Sequence, residues 1–164
     1  MRRIRRVRAA CDARDALGLE GVAPMDRPMV FARSDARQAE GLEEALARAE
    51  AFAAAGADAL FIDALVSEEE MAAFAAVAPG LPKMANNLEG GGKSPIVKRA
   101  RLAELGFSIV AYPLSLLGVS IAAMQGALED LAEERIPEAM PSLAEIRDVV
   151  EWPAYDKVAE QYRQ

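Results

Sequence analysis

Apolar residues return at helical spacing from the start of the chain. Ile4, Val7, Ala10, Cys11 and Leu17 fall on one face, so the spacing predicts an amphipathic helix over about the first eighteen residues, stopped near Gly18. The polar, proline-bearing stretch from Glu20 to Pro28 then leads to a strand predicted at Met29–Arg33. Ala39 to Ala55 place Leu42, Leu46, Ala49, Phe52 and Ala53 on one helical face, end at Gly56, and are followed by a strand at Ala59–Asp63. Ser67 and Glu70 have the spacing of a capping box that opens a helix to about Ala78, and Pro82–Asn86 reads as a third strand. Ser94 and Pro95 look like the N-cap and first residue of a helix closed by Gly106, and Phe107–Tyr112 is a fourth strand. A long helix is predicted from Ser115 to about Arg135. Ser142 and Glu145 form a second capping box, and Trp152, Pro153, Tyr155 and Tyr162 mark a tail helix.

The pattern is four strand–helix units in succession. Strands apolar on both faces, separated by helices, predict an α/β fold with a parallel sheet covered by helices. In that architecture the carboxyl ends of the strands share one rim, where ligands bind. Arg33-Ser34-Asp35, Asp63, Asn86-Asn87 and Tyr112-Pro113 all fall on this rim, so four distant segments converge on one place.

Composition narrows the chemistry. The chain contains no histidine and carries a net charge of −7, which argues against a general nucleic-acid binder and removes histidine as base or metal ligand. A single cysteine makes no internal disulfide, and no apolar run is long enough to span a bilayer, so a cytoplasmic protein is expected. At 164 residues one domain is the default, with the units over 1–135 and a helical tail over 136–164. The arginines at positions 2, 3, 5, 6 and 8 read as the solvated face of the first helix, with a transit peptide or an anionic partner as the alternatives.

Among the rim residues, Arg33 sits in an otherwise apolar strand, where a buried guanidinium needs an anion. It either pairs with Asp35 or Asp63 or clamps a substrate carboxylate. Asp63 is a helix cap, a partner for Arg33 or a holder of metal-bound water. Asn86 and Asn87 can orient an oxyanion or shape a turn. The Gly90–Gly92 loop with Lys93 and Ser94 can face a carboxylate or phosphate, although it is not a nucleotide P-loop, which demands a further glycine upstream. Glu89 is a base set behind the residues that touch a ligand, or a solvated carboxylate, and Cys11 is assigned to the core.

Read together, these segments resemble the isocitrate lyase/phosphoenolpyruvate mutase superfamily, in its 2-methylisocitrate lyase-like and oxaloacetate decarboxylase-like branch. The resemblance is carried by Ile4–Ala10, Phe31–Ala36, Gly56–Ala64, Met84–Gly91, Gly106–Ser115 and Trp152–Tyr155. It implies four parallel βα units corresponding to the second half of a TIM (β/α)₈ barrel, plus C-terminal helices. It also implies Mg²⁺ and a small 2-oxo or 2-hydroxy carboxylate, 2-methylisocitrate- or oxaloacetate-like, with a C–C bond made or broken beside an enolate of pyruvate type. By the same resemblance Arg33 holds a substrate carboxylate, Asp63 stands where the family usually has glutamate, and Asn86, Asn87 and Leu88 line the substrate pocket.

The resemblance also implies what lies elsewhere. The family's magnesium-binding aspartates and its loop with the catalytic cysteine belong to the first half of the barrel, so neither catalytic residues nor metal ligands are assigned to this chain. The family's arginine after the Tyr-Pro-Leu-Ser segment falls at Gly118. Four strands cannot close a barrel of about 250 residues. A second copy of the chain, or a separate chain carrying the first half, is the expected partner; a gene fragment, a split gene or a misplaced start is the expected origin. A non-catalytic half-barrel serving as an assembly or carboxylate-binding module is the alternative function. Family members exchange C-terminal helices between subunits, and the aromatic tail resembles theirs, so a homo-oligomer is expected; the other outcome is a tail folded back on its own sheet.

Overall fold

The computed structural model describes residues 2–18, 20–23 and 26–163; Met1 of the predicted first helix and positions 24 and 25 of the following stretch lie outside the described residues. The elements run α1 Arg2–Asp15, β1 Phe31–Ser34, α2 Ala36–Glu40, α3 Leu42–Ala54, β2 Ala59–Ile62, α4 Glu68–Ala75, β3 Lys83–Asn86, α5 Arg99–Leu105, β4 Ile109–Ala111, α6 Ser115–Ala132, α7 Leu143–Val149 and α8 Trp152–Glu160. Contacts divide the chain into two compact units, residues 1–117 and 118–164.

In the first unit the four strands form one parallel sheet in the order β1-β2-β3-β4. Parallel strands need crossovers, and each crossover here is helical. Register then sorts the side chains. Ala32 pairs with Leu60, Leu60 with Lys83, and Ala85 with Val110, so these residues share one face. That face meets the helices: Ala32, Leu60, Ile62 and Ala85 pack with Phe52, Met71, Phe74 and Leu102 in a buried core. Phe74 and Phe107 meet edge to face with ring centroids 5.9 Å apart. Cys11 is buried, as its place on the apolar face of α1 predicts, beside Gly56.

The opposite face carries Phe31 and Arg33 from β1, Ala59 and Phe61 from β2, Met84 and Asn86 from β3, and Ile109 and Ala111 from β4. No described helix of this unit covers it: Phe31 and Ile109, on the two edge strands, are 41% and 39% exposed, while Ala59 and Phe61 at its centre are buried beneath their neighbours.

The structure changes several predicted boundaries. The helix expected over 39–55 is two helices broken at Gly41, whose φ of 97° an L side chain rarely adopts. Ser94 and Pro95 do not open α5, which starts at Arg99 behind Lys98 with no side-chain cap. At α4 only half of the predicted capping box forms. Ser67 Oγ accepts the Glu70 N–H at 3.3 Å, while the Glu70 carboxylate turns to Arg37 and to the Val66 N–H. The Arg37–Glu70 fork, both bonds 2.7 Å, ties α2 to α4 and holds the Glu70 carboxyl below its ordinary range.

In the second unit the box at α7 is complete: Ser142 caps Glu145, whose carboxylate accepts the Ser142 N–H. The Arg147 guanidinium lies 4.9 Å from the Trp152 ring centroid and 3.5 Å from Asp156, which joins α7 to α8.

Two outcomes test this packing. Phe74→Ala is expected to lower unfolding free energy by about 3–5 kcal/mol, read from urea denaturation, because Phe74 is fully buried at the centre of the helix-side core. Stability given by Glu70 is present above the ordinary carboxylate pKa of 4.5 and is lost as pH falls through its lowered native value. Glu70→Gln is therefore expected to flatten the acid limb of a stability–pH curve; an unchanged slope would show that the Arg37–Glu70 pair does not act as described.

Candidate functional site

The carboxyl ends of the strands bring the rim residues together on the open face. Arg33 follows Ala32 in β1 and so points away from the helix-side core. Its side chain is 55% exposed, which corrects the expectation of a buried guanidinium: the strand is apolar in sequence, but no element of this unit covers that face. Arg33 does find carboxylates. Nε and Nη2 donate to Asp35 Oδ1 at 3.0 and 2.8 Å, and Nη2 also donates to Asp63 Oδ2 at 2.7 Å. The guanidinium lies 5.1 Å from the Phe61 ring centroid, a cation–π contact that fixes its plane. These bonds, that to Asp35 first, hold its pKa above the ordinary arginine value. Nη1 takes part in none of them.

Asp63 directly follows β2, and its N–H donates to Ser34 O at 3.0 Å, so the β1–β2 ladder itself delivers the carboxylate to Arg33. Asn86 lies opposite Ala111 and two residues after Met84, the partner of Phe61. It therefore shares the open face with Arg33 and is half-buried there.

Asn87 differs. It is fully buried, with its side-chain amide donating to Val97 O at 2.8 Å and its carbonyl accepting the Val97 N–H at 3.3 Å. Both amide functions thus close the loop between β3 and α5. Leu88 is half-buried at the start of that loop, where a Cβ on Gly92 would come within 2.6 Å of the Leu88 carbonyl oxygen. Only glycine permits this approach. Lys93 and the neighbouring glycines Gly90 and Gly91 are exposed.

Two features escaped sequence reasoning. Glu89 accepts the Leu114 N–H at 3.1 Å and the Ser115 hydroxyl, so it holds the start of α6 against the β3 loop, and those donors, Ser115 first, lower its pKa. Its distance of 26 positions from Ser115 gave no sequence signal. Lys83 is buried on the helix side, donating to Ala78 O and Leu81 O at 3.2 and 3.0 Å, with its pKa lowered by burial. Asp35 and Asp63, which converge on the open face, are bound to Arg33, and among the described residues no group of three or more His, Cys, Asp or Glu side chains able to hold a metal occurs. The residues present do not fit a magnesium site.

A family model described as phosphoenolpyruvate phosphomutase matches residues 2–132. The chain belongs to the phosphoenolpyruvate mutase/isocitrate lyase superfamily. Within that superfamily it is 43% identical over 96 residues to 2,3-dimethylmalate lyase of Eubacterium barkeri, covering 58% of this chain and 32% of that protein. It is 29% identical over 160 residues to 2-methylisocitrate lyase of Shewanella oneidensis, covering 95% of this chain and 51% of that one. The crystal structure of 2,3-dimethylmalate lyase superposes with a TM-score of 0.85 at 31% identity, over 98% of this chain and 55% of that chain. Oxaloacetate acetylhydrolase in complex with 3,3-difluorooxalacetate superposes with a TM-score of 0.82 at 25% identity, over 96% and 51%. The chain thus spans about half the length of these solved superfamily members, and its four parallel strands match those of their barrel-like fold. No described helix is long and apolar enough to cross a membrane.

The Glu89 contact yields a direct test. In Glu89→Ala the Leu114 amide loses its acceptor, and amide hydrogen exchange at Leu114 is expected to speed up by about tenfold or more while Leu60 and Phe74 are unchanged. Unchanged exchange at Leu114 would exclude the clamp.

Proposed function

We propose that this chain forms one wall of a carbon–carbon lyase or decarboxylase site that acts, in the cytoplasm, on a small 2-hydroxy or 2-oxo carboxylate of 2-methylisocitrate or oxaloacetate type. The observation that carries this reading is the placement of Arg33, Asp63 and Asn86 together on the open face at the carboxyl ends of the strands, in a chain whose relatives are lyases. Arg33 presents a fixed guanidinium to a substrate carboxylate, with Nη1 available for the new contact and Asp63 exchanging its hydrogen bond as the anion arrives. Asn86 supplies a neutral donor and acceptor for a substrate oxygen. Asn87 and Leu88 shape the wall from behind, through the Val97 bonds and the Gly92 contact. Magnesium, which the family resemblance implies, would take its ligands from polypeptide other than the described residues. The same polypeptide would cover Phe31 and Ile109 and pair with the edges of β1 and β4, as a separate chain carrying the other four βα units or as a second copy. A homo-oligomer in which Trp152, Tyr155 and Tyr162 are covered completes the proposal.

The second reading, a non-catalytic carboxylate-binding half-barrel, is favoured by one observation: Asp35 and Asp63 are already paired with Arg33.

Pyruvate release from 2-methylisocitrate, oxaloacetate and 2,3-dimethylmalate, assayed with magnesium, separates the two. The chain alone is expected to give no turnover, and turnover is expected on mixing with a polypeptide that carries the first four units. Turnover by the chain alone would contradict the incomplete site, and none on mixing would favour the binding module. In the active mixture Arg33→Lys is expected to lower kcat/KM by about 100-fold, since an ammonium cannot reproduce the fork to a carboxylate.

A further inference from the structure

The two carboxylates that hold Arg33 sit on segments that are tied together a second time. Asp35 stands at the N-cap of α2 without capping it: its side chain goes to Arg33, and the start of the five-residue helix is held instead by the Ala36 N–H on Ser34 Oγ at 3.3 Å and by Arg37. An aspartate in this place ordinarily accepts a backbone N–H of its own helix, so a cap is given up for the contact with Arg33. Arg37 forks onto both oxygens of Glu70, and Glu70 Oε2 also accepts the Val66 N–H at 3.0 Å. Val66 lies three positions after Asp63. Between them Leu65 is buried and Ala64 has a φ of 60°, a left-handed conformation that alanine rarely adopts. The bonds thus close a ring that runs from Arg33 through Asp35, Arg37, Glu70, Val66 and Asp63 back to Arg33.

An ion pair at a surface ordinarily adds little and positions nothing. This one differs in that both prongs are 2.7 Å long, the two side chains are only 24% and 15% exposed, and one oxygen also fixes a backbone N–H of the loop that carries Asp63. A strained residue keeps its conformation only where its surroundings over-determine it. At Ala64 those surroundings are the Asp63 N–H on Ser34 O before it, and the buried Leu65 and the Val66–Glu70 bond after it. Loss of the Glu70 carboxylate frees Ala64 to relax, and the segment that then shifts begins at Asp63. Loss of Arg37 frees the uncapped start of α2, which follows directly on Asp35. Either change loosens a carboxylate bound to Arg33.

We propose that Arg37 and Glu70 are positioning residues for Arg33, holding Asp35 and Asp63 at the spacing that keeps its guanidinium directed. Their use in catalysis rests on the reading of Arg33 as the clamp for a substrate carboxylate; the deciding test does not. In the full chain, solvent exchange of the Arg33 Nε–H, followed by NMR, is expected to speed up by about fivefold or more in Glu70→Gln and in Arg37→Gln. Glu68→Gln, which breaks the neighbouring pair with Arg101 in the same turn of α4, is expected to change it by less than about twofold. Circular dichroism of each variant confirms that the helices are intact. Unchanged Arg33 exchange in Glu70→Gln and Arg37→Gln, or an equal acceleration in Glu68→Gln, would overturn the proposal, the second by reducing the effect to a general loosening of α4. In the active mixture, Glu70→Gln is expected to raise KM for the carboxylate substrate by about tenfold with kcat within about twofold. Faster Arg33 exchange with KM unmoved would uphold the positioning and contradict the clamp.

Discussion

A parallel sheet is stable in water where both of its faces are covered, and the described helices of the first unit cover one. On that side Ala32, Leu60, Ile62 and Ala85 meet Phe52, Phe74 and Leu102 in a continuous core. On the other side the strand period of two sends Phe31, Arg33, Phe61, Met84, Asn86 and Ile109 to a face that no helix of the same unit reaches. The placement of the rim residues and the exposure of the edge strands follow from this asymmetry.

The asymmetry also sets the electrostatics. Arg33 lies on the open face, so its charge is not desolvated as it would be in a core, and Asp35 and Asp63 hold it at ordinary hydrogen-bond distances. Covering that face would strengthen every one of these interactions, because charge pairs act more strongly as water is excluded. Arg33, Asp63 and Asn86 come from three successive units, and the parallel ladder aligns the carboxyl ends of their strands. Glu89 extends the same rim to α6.

Much of this was legible in the sequence because the periodicity of the strands and helices is clear. All four strands and the helices α3, α4, α6 and α8 fall where apolar spacing predicts them, and Gly56 and Gly106 follow helix ends with the positive φ expected of glycine there. The failures have physical causes. Gly41 breaks a continuous apolar stripe, and only its backbone conformation reveals the break. Ser94-Pro95 has the chemistry of a helix start, but Asn87 draws Val97 into the loop and delays α5 to Arg99. Arg33 was expected to be buried because an apolar strand suggests cover on both sides; sequence shows which residues are apolar, not whether anything lies against them. Pairings across long separations, such as Arg37 with Glu70 and Glu89 with Ser115, leave no local trace.

Amide hydrogen exchange at the outer edges of β1 and β4 tests the central claim, that the helix-side face is a finished core and the other face is the unfinished interior of a barrel. In the chain alone, the amides of α3, α4 and β2 are expected to be protected and the outward amides of β1 and β4 to exchange freely; on mixing with a polypeptide carrying four further parallel strands, the edge amides are expected to become protected as well. Edge amides already protected in the chain alone as a monomer, or left unprotected in an active mixture, would contradict the account.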